Sequence, residues 1–264
     1  MEIEQPVMLE IKKIVDEAKD LKTFIFRYKL SAKPGQFVIV WLPRVDEKPF
    51  SISFQDNDRF GITVFKVGPF TEKLFKLRVG DKVGIRGPYG NGFSLRRKRV
   101  VLVGGGCGTA PLGFLADELK KKNVDIHYII GARNKECLLF EKRMKIAGIK
   151  TYFATDDGSY GFKGYTTDLL KEIISKHRVD KVYTCGPEIM MKFVVDICDK
   201  AGLPCELSLE RMLKCSMGIC GSCSLDPTGW RVCKDGPVFT GEQIKKVTEF
   251  CSYKRDFSGK KIKL

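Results

Sequence analysis

Four cysteines crowd into residues 215–233, within the stretch KCSMGICGSCSLDPTGWRVCKDG, with the spacing C-x4-C-x2-C-x9-C. Thiolates this close repel one another and oxidise readily unless something binds them. The regular hydrophobic periods of the chain stop just before this segment, at about 211. Structural zinc usually takes two C-x2-C knuckles separated by a longer loop, and only one C-x2-C pair is present here. The plant-type [2Fe–2S] pattern is C-x4-C-x2-C followed by a more distant fourth thiol. Cys215, Cys220 and Cys223 match the x4, x2 spacing, and Cys233 supplies the fourth thiol at shorter range. The intervening residues are rich in Gly and Ser, which let backbone N–H groups approach the sulfurs. A [2Fe–2S] centre is favoured over zinc, and disulfides come third. Cys251, beyond the KDGPVF turn, is expected to lie outside the ligand set.

The other five of the ten cysteines are scattered through the 264 residues, most of them in apolar stretches, and read as small core residues. The N-terminus, MEIEQPVMLEIKK, carries acids and no apolar h-region. That argues against a secreted disulfide scaffold and predicts a cytoplasmic protein. No run of 18 apolar residues appears, so no membrane span is expected. The formal net charge of +15 would suit nucleic acid or an anionic membrane. The basic runs LRRKR and KKK are short and lack interleaved aromatics, however, so a solvated Lys-rich surface is the better reading and no nucleic-acid partner is expected.

Residues 1–97 read as β. The runs VMLEIKKIV, LKTFIFRY, QFVIVWLP, FSISF, FGITVFKV and KVGIRGP are separated by the turns KPG, QDND and VGD. Only TEKLFKL (71–77) looks helical. Six short strands predict a small antiparallel β-barrel. Residues 98–210 change period. The strand candidates RVVLVGG, VDIHYIIGA, KTYFATD, DKVYTCG and CELSLE alternate with the helical stretches APLGFLADELKKK, KECLLFEKRMKIAG, YTTDLLKEIISKH and PEIMMKFVVDICDKAG. That alternation predicts βαβ units in a doubly wound parallel sheet. The cysteine segment then occupies 211–241, and a C-terminal tail 242–264.

Two loops of the α/β part are placed to bind nucleotide. VVLVGGGCGTAPLGFL (100–115) is a strand, a glycine loop and a helix with Pro111 near its first turn, so loop amides and helix dipole can receive a pyrophosphate. TCGP (184–187) closes the fourth strand, which puts Cys185 and Gly186 at the mouth of the cleft. GARNKE (131–136) ends the second strand, where a ribose is usually read. In the barrel, KPFSIS (48–53) stands out, as does VGPFTEKL (67–74), a glycine loop with Thr71 as a helix N-cap.

These stretches, in this order, resemble the ferredoxin–NADP reductase superfamily over about residues 5–210. The resemblance implies a Greek-key, FAD-binding barrel followed by an NAD-binding domain. It implies that Pro49, Phe50, Ser51 and Ile52 line the flavin, with Lys48 where the superfamily usually has Arg, and that Gly68 and Thr71 hold the FAD pyrophosphate. Gly105, Gly106, Gly108, Thr109 and Pro111, with Gly186 and Pro187, would hold the nicotinamide dinucleotide, and Cys185 would lie near the nicotinamide and flavin. The segment 209–239 and the stretch ATDDGSYGFKGYTTDLL (154–170) resemble electron transfer subunits of two-component dihydroorotate dehydrogenases. The segment 209–239 is also similar to the NAD(P)-linked subunit of cytoplasmic hydrogenases and the small subunit of NADH-dependent ferredoxin:NADP reductase.

The implied route runs from an FMN-containing dihydroorotate dehydrogenase catalytic subunit, in a heterotetramer of two of each chain, through [2Fe–2S] and FAD to NAD+. A flavin is the converter that such a route needs between one-electron and two-electron chemistry. No acid–base dyad is required, and His127 and His177 read as structural. NAD(H) is expected over NADP(H), because Asp156 and Asp157 end the third strand, although Arg133 and Lys135 end the second. Met217 and Ile219 are expected to form a small apolar docking face. A colourless zinc-containing nucleotide-binding module is the alternative from another class.

Overall fold

The computed structural model describes residues 3–264, and the side chains from Gln5 onward. Six antiparallel strands form the first unit: β1 (Ile3–Ala18), β2 (Leu21–Arg27), β3 (Phe37–Leu42), β4 (Asp46–Gln55), β5 (Arg59–Phe65) and β6 (Lys82–Tyr89). They close in the order β1-β2-β5-β4-β3-β6, a Greek-key barrel. Strand β1 closes it by pairing β6 with its first half and β2 with its second. Register shifts between Ile11 and Lys13 and between Asp16 and Ala18 bend it enough to do so. Alternating side chains fill the interior, among them Phe24, Phe26, Ile52, Phe60 and Ile62, all fully buried. The helix α1 (Pro69–Phe75) covers one end.

The second unit follows with β7 (Arg99–Gly105), α2 (Thr109–Lys121), β8 (Asp125–Ala132), α3 (Glu141–Ile146), β9 (Lys150–Thr155), β10 (Phe162–Lys163), α4 (Thr166–Lys176), β11 (Lys181–Cys185), α5 (Glu188–Lys200) and β12 (Cys205–Ser208). These strands are parallel, in the order β10-β9-β8-β7-β11-β12. Val100 and Leu102 pack beneath α2 and α3, while Val101 and Val103 pack beneath α4 and α5, as alternation along a doubly covered strand requires. One helix expectation is corrected. In KECLLFEKRMKIAG only a short 3-10 turn at 135–137 and α3 are helical. Leu138 is extended, Phe140 takes a left-handed φ of 65°, and Leu138, Leu139 and Phe140 are all buried in the core. Burying three consecutive apolar side chains is incompatible with one face of a continuous helix.

The cysteine segment is not a separate layer. It contains the small hairpin β13 (Ser224–Leu225) and β14 (Trp230–Arg231), then β15 (Val238–Thr240), which pairs antiparallel with β12 and becomes the seventh strand of the sheet. Val232, Phe239 and Ile244 belong to one core with Val101 and Val103 of the sheet and Phe37 and Ile39 of the barrel. The expected break at 241 falls inside the capped turn into α6 (Gly241–Ile244), where Thr240 Oγ1 accepts from the Gln243 N–H at 3.2 Å. The tail ends in the hairpin β16 (Tyr253–Arg255) and β17 (Lys261–Lys263). Among the described residues no helix is long and apolar enough to cross a membrane.

Two buried ion-pair groups tie these parts together. Lys181 donates to Glu206 at 2.5 Å and to Ser94 Oγ at 2.8 Å, which pins the connector between barrel and sheet. The carboxylate of Glu249, fully buried, accepts from Arg211 at 2.8 Å, from Arg255 at 2.9 Å and from the Asp226 N–H at 3.0 Å, and Arg211 also pairs with Glu188 at the start of α5. Removing one member of such a group strands the others without water. Glu249→Ala is therefore expected to lower the free energy of unfolding by about 3–5 kcal/mol, measured by urea denaturation. A loss under about 1 kcal/mol, the range of an exposed pair, would contradict this account.

Candidate functional site

The four cysteines sit on a loop that turns its amides inward. Residues 216, 218 and 221 take left-handed φ angles of 63°, 79° and 69°, and this curls the chain around the thiols. The N–H groups of Ile219 and Cys220 donate to Cys215 Sγ at 3.3 and 3.4 Å, and the N–H of Cys233 donates to Cys223 Sγ at 3.4 Å. Hydrogen bonds from Ser222 and from backbone N–H groups hold the Cys220 thiol down at about 6, and the Cys233 thiol lowers Cys223 to about 7. Four thiols on one loop, with backbone amides donating to the Cys215 and Cys223 sulfurs, fit an iron–sulfur core, whose sulfurs carry negative charge. Cys251 is engaged elsewhere. Its N–H donates to Glu188 at 2.8 Å, and burial pushes its thiol up to about 11.

A guanidinium joins this loop to the barrel. Arg86 on β6, only 6% exposed, donates to both carboxylate oxygens of Glu47 on β4. Its Nη1 donates to Tyr89 Oη and to the carbonyl oxygen of Cys215, each at 3.2 Å. Arg231 holds the next part of the loop through the Gly218 carbonyl at 2.7 Å. With these carbonyls held by arginines, the amides of Ile219 and Cys220 that follow face Cys215 Sγ. Neither Arg86 nor Glu47 stood out in the sequence, because nothing local distinguishes them from surface charges.

Glu47 immediately precedes the expected flavin strand. Pairing register places Pro49 and Ser51 opposite Ile39 and Phe37, on the side that faces the cysteine segment. Phe50 is half-buried and stacks on Phe70 of α1, with ring centroids 6.1 Å apart. Lys48 is paired with Asp46. The side chain of Ile52 is fully buried among Phe60, Ile62 and Phe24, which leaves only its backbone to meet a ligand. Thr71 is a correction. The N-cap of α1 is Gly68, and Thr71, three residues on, accepts from the N–H groups of Val67 and Gly68 and donates to the Gly68 carbonyl. Its hydroxyl shapes the loop. A Cβ on Gly68 would meet nothing within 4 Å, so bare backbone faces open space there. The aromatic pair beside an open glycine loop fits a flavin ring with its diphosphate.

The two nucleotide loops meet at the point where strand order reverses, after β7 and β11. A Cβ on Gly108 would lie 2.5 Å from the carbonyl of Cys185 and the nitrogen of Gly186, so the loops touch backbone to backbone. A Cβ on Gly105 would strike Met190 and Pro187, whereas one on Gly106 would enter open space. Gly106 is thus the half-buried crest, open on one side, on which a pyrophosphate could rest. Thr109 is fully buried and its Oγ1 has no partner among the described residues, and Pro111 is buried in the first turn of α2. Cys185 lies against Gly108 through its backbone. Its side chain is 3% exposed and burial pushes its thiol far up, so it offers backbone to the cleft and no reactive sulfur. Glu210, unremarked in the sequence, bears on this spot. Its charge acts on both Cys107 and Cys185 from an exposed position.

At the ends of β8 and β9, where a ribose is expected from the sequence, basic and acidic residues stand on adjacent strands. The Asp156 and Asp157 N–H groups donate to the carbonyls of Ala132 and Arg133. Asp157 is held ionised by Ser159, and Lys135 lies over the Tyr160 ring at 5.4 Å, while Asp156 and Arg133 are exposed. His127 contacts Tyr152 Oη at 3.0 Å and lies beside His177, in contacts that stabilise the fold.

Residues 210–245 match the iron-sulfur cluster binding domain of dihydroorotate dehydrogenase B, and residues 102–196 match an oxidoreductase NAD-binding domain. The chain is 47% identical, over 98% of its length and 99% of the relative's, to a probable dihydroorotate dehydrogenase B (NAD(+)) electron transfer subunit of Methanocaldococcus jannaschii. It is 46% identical, over 97% of both chains, to the corresponding protein of Methanothermobacter thermautotrophicus. Among solved structures it is similar to a chain of NADH-dependent reduced ferredoxin-NADP oxidoreductase, with a TM-score of 0.82 and 30% identity over 92% of this chain and 94% of that one. Phthalate dioxygenase reductase shares the fold, with a TM-score of 0.62 and 20% identity over 75% of this chain and 64% of that one. The iron–sulfur match sets the zinc alternative aside.

The contact at Gly108 yields a direct test. Gly108→Ala must part the two loops, and a displacement near 1 Å at a hydride-transfer site can cost about 100-fold in rate. Reduction of bound flavin by NADH, followed by stopped-flow absorbance, should slow by about 10- to 100-fold, with the flavin content unchanged. A wild-type rate would show that the loops do not jointly shape the nicotinamide site.

Proposed function

The chain belongs to the family of dihydroorotate dehydrogenase B electron transfer subunits, and on that premise we propose that it carries electrons from an FMN-containing dihydroorotate dehydrogenase subunit to NAD+. Cys215, Cys220, Cys223 and Cys233 hold a [2Fe–2S] centre. Pro49, Phe50 and Ser51, with the loop at Gly68, hold FAD. Gly105, Gly106, Gly108 and Thr109, with Gly186 and Pro187, receive the nicotinamide dinucleotide. A flavin exchanges electrons singly with iron–sulfur centres and in pairs with nicotinamides, so bound FAD supplies the conversion between them.

The observation that carries this reading is the Arg86 bridge. One side chain holds the carbonyl of a cluster ligand and the carboxylate that begins the flavin strand, so the one-electron and two-electron sites share a rigid support. The chain's own task is placement. The loops at Gly108 and Gly186 seat the nicotinamide, β4 seats the flavin, and the inward amides stabilise charge on sulfur. On the partner side, Met217 and Ile219 are 44% and 78% exposed. Two apolar side chains on a cluster loop suit a docking face for the FMN subunit, in an assembly of two of each chain.

Reconstitution tests the pathway. Alone, the protein should reduce dyes with NADH and ignore dihydroorotate. Mixed with a matching FMN-containing dihydroorotate dehydrogenase subunit, it should form a stable complex and reduce NAD+ with dihydroorotate. Pairing only with a ferredoxin reductase large subunit would favour the second reading, to which the 0.82 TM-score gives specific support. For cofactor choice, exposed Asp156 beside the ribose disfavours a 2′-phosphate. NADH should reduce the bound flavin faster than NADPH at equal concentration, and the reverse order would mean that Arg133 dominates.

A further inference from the structure

We propose that the hydroxyl of Ser216 donates a hydrogen bond to a sulfur of the iron–sulfur centre and raises its reduction potential, a role that rests on the cluster reading above. Ser216 immediately follows the first ligand, Cys215, and its side chain is 1% exposed. Its Oγ has no hydrogen-bond partner among the described residues. Its φ is 63°, a region where a side chain is strained and glycine is favoured. Ser216 is therefore doubly unfavourable on the protein's own account. Glycine would relax the backbone, and either glycine or alanine would remove an unsatisfied buried hydroxyl.

The polar groups around it are already engaged. The Cys215 carbonyl accepts from Arg86 and the Gly218 carbonyl from Arg231, while the N–H groups of Ile219 and Cys220 face Cys215 Sγ. No acceptor among the described residues, cysteine sulfur included, reaches the hydroxyl, so the acceptor left for it is an inorganic sulfide of the centre, which carries negative charge. Addition of an electron makes the centre more negative. A donor to sulfur therefore stabilises the reduced form more than the oxidised one and moves the potential upward. Ser216 would add to the two amides on the Cys215 side of the centre.

The test uses the full chain, purified anaerobically with its flavin, as wild type, Ser216→Gly and Ser216→Ala. Iron and sulfide are quantified, and the cluster is titrated with EPR detection. Ser216→Gly keeps or relaxes the backbone, so it remains informative if the alanine variant fails to assemble. Both variants should hold the wild-type complement of iron and show a more negative midpoint. Electron–nuclear double resonance after exchange into D2O should show one fewer exchangeable proton coupled to the reduced centre. A Ser216→Gly protein with full iron, the wild-type midpoint and an unchanged proton spectrum would overturn the proposal, leaving a packing role or a bound water as the hydroxyl's partner. Wild-type protein without iron would instead remove the cluster reading itself.

Discussion

The buried guanidinium of Arg86 is the contact on which the rest of the arrangement depends. A desolvated positive charge persists only where its donors are matched, and here Glu47, Tyr89 and the Cys215 carbonyl match them. The fork geometry lets one side chain reach strand, neighbouring ring and cluster loop at once, which a lysine could not reproduce. Because Glu47 and Cys215 belong to different units, the position of each unit is written into the geometry of the other.

The cysteine segment reinforces this by acting as a wedge. A Cβ on Gly90 would lie 2.5 Å from Pro237, and one on Gly35 would lie 2.7 Å from Val238. Asn91 bridges to the carbonyls of Lys234 and Asp235. Barrel residues thus rest directly on the chain that follows the fourth cysteine, and that chain then enters the sheet as β15. The interior of the sheet, the barrel's outer face and the cysteine loop form one packed core.

Much of this was readable in the sequence where the signal is local. Period-two runs marked all six barrel strands, and strand–helix alternation marked the parallel sheet. Cysteine spacing marked the cluster, since ligand geometry constrains sequence distance directly. What escaped depends on distant partners. Arg86 and the Cys215 carbonyl are separated by 129 positions, so their contact leaves no local trace. The burial of the Ile52 side chain escaped too, because a motif read as a unit hides the alternation that sends one side chain to the core. Leu138 to Phe140 looked helical by composition, and burial of all three overrode that propensity. The tail showed no strong period, and its role rests on Glu249, a single buried carboxylate whose partners lie at 211, 226 and 255.

The shared core has a kinetic meaning. Electron tunnelling weakens exponentially with the gap between donor and acceptor, so a hinge between barrel and cysteine loop would make the transfer rate fluctuate with every opening. With Val232 and Phe239 packed against Phe37 and Ile39, such a hinge has no plane along which to open. The internal gap is therefore set once, during folding. Throughput is then governed at the two ends of the chain of carriers, by arrival of nicotinamide and by contact with the electron donor, and not by motion between them.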